Sequence, residues 1–362
     1  FLIQLFKRVR SKFNNVYCIS NEKGKAFIDR DIKNVNFITT RNIFDKFNIM
    51  ISYIFRTIQA LSCLKLNSIN LIYVSSDFFP DVLPAFIYKK IYPKSIWHQY
   101  IFHIYPSHKN RPGRKVKNFI AQYLQKFSFL FIKSADVIIN INQQVRAELI
   151  GIGFNSEKII INTPGIDVNY LSNIEFDKNT PSFNATFLGR INPTKGIYDL
   201  IKIWEIVVGK FPQARLAIIG AGNMQITSKL NRLIIDSELT NNISILGFIE
   251  SDDAFKIIKK SNMFLFPSHE EGFGIAIAEA MALRVPVIGW HLGVYDEVYR
   301  DTIFKIPIGD INSFAKKVID LLSDHDAIKQ MTNKGFDFIK KYDWDNITEN
   351  YLKVAVKSLF KD

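Results

Sequence analysis

Short β-rich apolar runs separated by amphipathic stretches of helical period recur along almost the whole chain, and this alternation restricts the fold more than any other feature. In the first half the runs are Val16 to Ser20, Val35 to Thr39, Asn70 to Ser75, Ser95 to Phe102, Asp136 to Asn142 and Lys158 to Asn162. In the second half they are Asn184 to Gly189, Ala214 to Gly220, Asn242 to Leu246, Met263 to Pro267 and Pro286 to Gly289, each followed by a turn and a helical segment. Strands that alternate with helices pair in parallel, so the pattern predicts an α/β protein of two doubly wound, Rossmann-like domains. A polar, turn-rich stretch from Thr163 to Phe183 separates the two series and reads as a linker.

Length agrees, because 362 residues exceed what one hydrophobic core usually serves. With 48% apolar and 22% charged residues, disorder is not the default. The longest apolar stretch, Ile49 to Leu64, is broken by Arg56 and Gln59 and is shorter than the roughly 20 residues of a membrane span, so no transmembrane helix is predicted. Cys18 and Cys63 lie in apolar segments and read as core thiols, which favours a reducing, cytoplasmic compartment. The chain opens at Phe1 in an amphipathic basic pattern without the apolar core or cleavage site of a signal peptide, and it reads as a fragment lacking its start.

A net charge of +13 suggests an anionic partner, for which nucleic acid, an anionic membrane surface and a phosphorylated substrate all qualify. The basic residues are interleaved with Phe and Tyr, as in Lys115 to Lys133, without zinc-finger cysteines, an RNA-recognition signature or a basic tail. That segment reads first as a solvated helix face and second as a membrane-surface face. Nucleic acid is not expected.

Chemistry in a parallel sheet belongs just beyond the carboxyl ends of its strands. There the sequence places Gly189, Arg190 and, before a helix starting at Ile197, Lys195 and Gly196. A guanidinium that can fork onto two oxygens, a compact ammonium and a helix N-terminus together suit a diphosphate, although an ordinary turn with two exposed cations gives the same pattern. After the strand Met263 to Pro267 come Glu271, Gly272, Phe273 and Gly274, then a helix carrying Glu279. The glycines bare N–H groups for phosphate, and the two carboxylates can accept hydrogen bonds from sugar and ribose hydroxyls. Two solvated glutamates near a helix start are the plainer reading. A glycosidase pair is discounted, since such carboxylates must flank the sugar rather than adjoin a phosphate cradle.

Gly189-Arg190 to Lys195-Gly196, the run Pro267-Ser268 to Glu271-Gly272-Phe273-Gly274, Glu279-Ala280-Met281-Ala282 and Pro286-Val287-Ile288 together resemble glycosyltransferase family four. The likeness extends to Gly247-Phe248, Gly293, Glu297 and Gly309-Asp310, and in the first half to Arg111-Pro112-Gly113, Ala135-Asp136 and Pro164-Gly165-Ile166-Asp167. The resemblance implies the GT-B fold, two Rossmann-like domains facing across a cleft, with an acceptor-side domain over 1–168 and a nucleotide-sugar domain over 180–341. A C-terminal helix over 342–362 crosses back to the first. It further implies a retaining, metal-independent transferase without a cofactor, using a UDP- or GDP-sugar donor and a glycan or lipid-linked acceptor in polysaccharide or glycolipid synthesis.

In that resemblance Arg190 and Lys195 stabilise the leaving diphosphate, Glu271 contacts the donor sugar, Glu279 the ribose, and the base lies near Gly247 and Phe248. Gly220 and Gly222 form a nearby turn, and His103 faces the reaction centre, with His98 as its rival. Ser75, Ser76 and Asp77 line the acceptor side or cap the helix beginning near Pro80. Lipid-linked acceptors would bring the protein to the inner membrane face as a peripheral protein. Two features depart from the family: its usual first strand and glycine-rich loop would precede Phe1, and His291 stands where small or acidic residues are commoner. A sugar-nucleotide epimerase, a phosphorylase of the same fold, and a non-catalytic basic protein binding membrane or nucleic acid are the rival readings.

Overall fold

The computed structural model describes residues 2–41, 49–66, 69–105 and 115–359. The chain divides into two units, Phe1–Pro164 with Trp344–Asp362, and Gly165–Asp343.

The first unit carries strands β1 (Tyr17–Asn21), β2 (Asn36–Thr40), β3 (Leu71–Val74), β4 (Ile96–Ile101), β5 (Val137–Asn140) and β6 (Ile159–Ile161). All pair in parallel, but in two separate sheets, β1-β2 and β3-β4-β5-β6. A cavity of about 330 Å³, lined by Val16, Ile19, Leu71 and Val74 among others, lies against both sheets. The C-terminal helix Trp344–Leu359 packs in this unit, burying Trp344, Ile347, Tyr351 and Ala355, and Arg8 Nε donates to Asp345 Oδ1 at 2.7 Å.

The second unit carries β7 (Ala185–Leu188), β8 (Leu216–Ile219), β9 (Ile243–Gly247), β10 (Met263–Phe266), β11 (Val287–Trp290) and β12 (Phe304–Ile306) in one parallel sheet of order β12-β11-β10-β7-β8-β9. Helices cover both faces, so strands such as β8, β10 and β11 are apolar and buried throughout rather than alternating. The first strand is central. The chain winds outward through β8 and β9, returns, and winds the other way through β10 to β12, so β7 and β10 flank the switch point where loops diverge and ligands bind.

Each predicted strand lies within two residues of an observed one. β12 was not predicted, because Phe304-Lys305-Ile306 offers no sustained apolar run. The stretch read as a linker is packed chain: Asp167 caps a short helix, Val168–Ser172, and Ile166, Val168, Leu171, Ile174 and Phe183 join the core of the second unit. Its scattered Asn, Pro and Gly concealed that apolar series.

Candidate active site

Each strand end of the second unit near the switch point hands the chain to a turn that only glycine allows. Gly196 has φ +69°, and a Cβ there would stand 1.8 Å from the carbonyl oxygen of Pro267 at the end of β10. Gly220 has φ +139°, and its Cβ would stand 1.9 Å from the carbonyl oxygen of Gly189. The turn after β7 is thus pressed against the turns after β8 and β10. Backbone bonds fasten them: Ile191 N–H donates to Ala221 O at 2.9 Å, Gly220 N–H to Gly247 O at 2.8 Å, and His269 N–H to Thr194 O at 2.9 Å. Gly222 lies against Ile191 in an isolated parallel bridge.

Lys195 and Glu271, 76 positions apart, meet in an ion pair between side chains 18% and 11% exposed. The Lys195 ammonium also lies 5.8 Å from the Phe266 ring centre. Arg190 stands exposed on the same turn, and among the described residues no hydrogen bond or ion pair holds it. Gly274, at φ +83°, starts the helix Ile275–Ala282 without a side-chain cap, leaving the positive end of its dipole open. The carbonyl of Gly274 is held from behind by the Tyr299 hydroxyl at 2.8 Å. Glu279 projects from that helix half-buried, and burial raises its carboxyl to about 7.

Other predicted residues differ in what they present. The Phe273 ring is buried between Tyr299 and Tyr342, at 5.8 and 5.3 Å, so only its backbone faces outward chemistry. Gly272 lies between Glu271 and that buried ring. Phe248, after the φ +69° turn at Gly247, is 78% exposed, an unusual position for a large aromatic ring and a suitable stacking platform. His291 stands apart, donating to or accepting from Asp296 Oδ2 at 2.7 Å, and Asp296 also pairs with Lys305. Sequence reasoning missed Asp199, which meets His269 Nε2 at 2.7 Å and Trp290 Nε1 at 3.3 Å and so fixes the loop carrying Glu271. A lone Asp in a helix's first turn carries no signal by itself.

The first unit separates the two rival histidines. His98 is fully buried in β4, with Nε2 2.9 Å from Ser358 Oγ and Nδ1 3.3 Å from the Tyr351 hydroxyl, and burial lowers its pKa to about 4. It is a structural core histidine. His103 is exposed on the loop after β4, edge-on to Tyr105 with ring centres 4.7 Å apart. Gln125 holds that loop, donating to His103 O at 2.9 Å and to Asp77 Oδ2 at 2.5 Å and accepting from Tyr105 N–H at 2.8 Å. Burial raises the Asp77 carboxyl, against the bond from Gln125. The helix N-cap is Phe78 with no side-chain bond, so neither Ser75, Ser76 nor Asp77 caps it; Ser76 bonds Asp81 instead. Arg111-Pro112-Gly113 lies outside the described residues.

Known proteins share this arrangement of elements. HepE of Anabaena, crystallised with UDP and glucose, superposes with a TM-score of 0.75 at 16% identity over 98% of this chain and 94% of HepE. TarM of S. aureus superposes at 0.63 with 18% identity over 84% of this chain and 59% of TarM. This likeness shows the fold, GT-B. In sequence, the chain is 27% identical to the capsular polysaccharide biosynthesis glycosyltransferase CapM of Staphylococcus aureus over 61% of its own length and 59% of CapM. It is 26% identical to the poly(glycerol-phosphate) alpha-glucosyltransferase of Bacillus subtilis over 48% of its length and 26% of that protein. The chain thus spans less than two thirds of either relative. Residues 173–338, which contain Arg190, Lys195, Glu271 and Glu279, match the family model of glycosyl transferases group 1, and through this region the chain belongs to that family.

Proposed function

We propose that the chain is a retaining glycosyltransferase that takes a sugar from a UDP- or GDP-sugar held by its second unit and gives it to a glycan or lipid-linked acceptor, in synthesis of a cell-surface polysaccharide or glycolipid. The carrying observation is the Lys195–Glu271 pair, which joins the turns after β7 and β10 beside an open helix N-terminus. The named roles of CapM and the Bacillus subtilis enzyme, and the UDP and glucose bound by HepE, support the donor and pathway class.

In this reading the departing diphosphate gains negative charge, and Arg190, Lys195 and the free N–H groups of the helix start meet it without reorganising. That positive set takes the part of a divalent ion, so no metal or cofactor is required. Lys195 already held by Glu271 is preorganised, and Glu271 keeps acceptor capacity for donor-sugar hydroxyls. The ribose hydroxyls donate to Glu279, which favours its ionised form and pulls its pKa back down. Phe248 stacks on the base, and His103 serves the reaction centre from the first unit. The protein works in the cytoplasm as a peripheral protein on the inner membrane face.

A panel of UDP- and GDP-sugars with unlabelled acceptor glycans tests this by release of free nucleotide and by the anomeric form of the product. Transfer with retained configuration, unchanged by a chelator, is expected. Absence of binding to every nucleotide sugar would remove the reading, and nucleotide release without any acceptor would favour the epimerase.

A further inference from the structure

Two helices of the first unit are built inside out. In Ile49–Ala60 the buried side chains include Ser52 and Thr57, at 6% and 5% exposure, whereas Ile51, Ile54 and Ile58 are 41%, 57% and 58% exposed. In Lys115–Ile132 Gln125 and Ser128 are buried, at 5% and 0%, whereas Tyr123, Phe127 and Leu130 are 50%, 45% and 65% exposed. Each exposed set repeats at helical spacing, so each forms a stripe on one face. A surface helix in water normally turns the other way. By contrast, helix Ile197–Lys210 of the second unit buries Ile197, Leu200, Ile201, Ile203, Trp204 and Val207.

The two stripes belong to one layer. Helix Phe79–Ile91 packs against both helices, and aromatic contacts run across it from Tyr53 to Phe78 at 6.2 Å and from Phe79 to Phe127 at 5.3 Å. Apolar surface of this continuity marks an interaction site rather than the scattered exposure normal for a soluble face. Charge selects the partner. The three helices hold six basic residues, Arg56, Lys89, Lys90, Lys115, Lys117 and Lys126, against one acidic residue, Asp81. A second copy of this face would bring like charges together, and the branched aliphatic tips suit acyl chains better than nucleobases. The Lys126 ammonium lies 5.6 Å from the Tyr123 ring centre, the arrangement of a side chain whose stem follows apolar surface while its head stays polar.

We propose that this layer seats in the headgroup zone of an anionic phospholipid membrane, with Ile54, Ile58, Tyr123, Phe127 and Leu130 entering the acyl boundary. The inference gives a surface to the peripheral attachment in the reading above. It is tested without donor or acceptor, so its failure and the failure of nucleotide binding are separate results.

The test is sedimentation of the protein with vesicles of phosphatidylcholine alone or mixed with phosphatidylglycerol. Binding to the mixed vesicles is expected to exceed that to neutral ones by about tenfold or more. Ile58→Asp with Leu130→Asp should lower it by about tenfold or more, while Lys126→Glu should cost about threefold to fivefold and mainly reduce the preference for anionic lipid. Ile235→Asp, at an exposed apolar site of the second unit (62%), should leave binding unchanged. Circular dichroism and nucleotide binding establish that each variant is folded. Equal binding to neutral and anionic vesicles, an unaffected double variant, or a dimer in solution that the double variant abolishes would each overturn the proposal.

Discussion

The two units use one architectural scheme with opposite economies of burial. In the second unit a central first strand closes a continuous six-stranded sheet, and residues such as Phe187, Phe264 and Trp290 are fully buried. In the first unit the sheet is divided into two and four strands with a cavity against both, β1 leaves Tyr17 and Ile19 at 40% and 39% exposure, and polar side chains sit under apolar helix faces. The difference teaches a division of labour. A site that must hold charge in fixed geometry needs a rigid, well-packed frame, and the second unit supplies it. A surface that docks on something else can leave apolar area uncovered in isolation, as the first unit does.

The largest expected effect lies in the rigid frame. Lys195→Ala should lower kcat by about 10² to 10³, roughly 3 to 4 kcal/mol of transition-state stabilisation, with a smaller change in KM. Steady-state kinetics on the donor identified by the panel reads it, and an unchanged kcat would remove Lys195 from the chemistry. Gly196→Ala should destabilise the second unit by at least about 2 kcal/mol, since φ is left-handed there and the new Cβ meets Pro267 O at 1.8 Å. Denaturant unfolding followed through Trp204 and Trp290 measures it.

Two buried titrating groups give the units opposite pH responses. Glu279 has its carboxyl raised from 4.5 to about 7, so the folded state binds the extra proton: its contribution to stability is present below pH 4.5 and lost as pH rises to about 7. Glu279→Gln should therefore stabilise the unliganded protein at pH 8 by on the order of 2 kcal/mol while weakening nucleotide binding. His98 is lowered from 6.5 to about 4, so its contribution is present above pH 6.5 and lost as pH falls towards 4. His98→Gln should remove that acid loss of stability, by on the order of 2 kcal/mol between pH 7 and 4. Differences between each variant and the parent protein isolate these groups from Asp77 and Asp81, whose carboxyls burial also raises. Slopes of the same sign for both variants would break the comparison. The smallest effect is His103→Ala, expected to reduce kcat by about tenfold to a hundredfold while leaving unfolding unchanged, because an exposed side chain contributes little to the core.

Strand order and both glycine-framed turns were legible because alternation and turn chemistry are local signals. The Lys195–Glu271 contact was legible only as two motifs on successive strand ends, and their meeting depends on β7 lying beside β10, which no local pattern states. The buried Phe273 ring and the clamp by Asp199 depend on tertiary packing, as does the choice between His98 and His103, which stand five positions apart and differ only in which lies within β4. The inside-out helices were hidden for a related reason. Apolar residues at helical spacing normally indicate the buried face, and only the observed exposure reverses that assignment.

Hydrogen exchange with and without UDP or GDP tests the central claim most directly. The account predicts that nucleotide slows amide exchange in 189–196 and 268–276 of the wild-type protein, with the protection weakened in Lys195→Ala. Protection confined to the first unit, or none in either segment at saturating nucleotide, would contradict it.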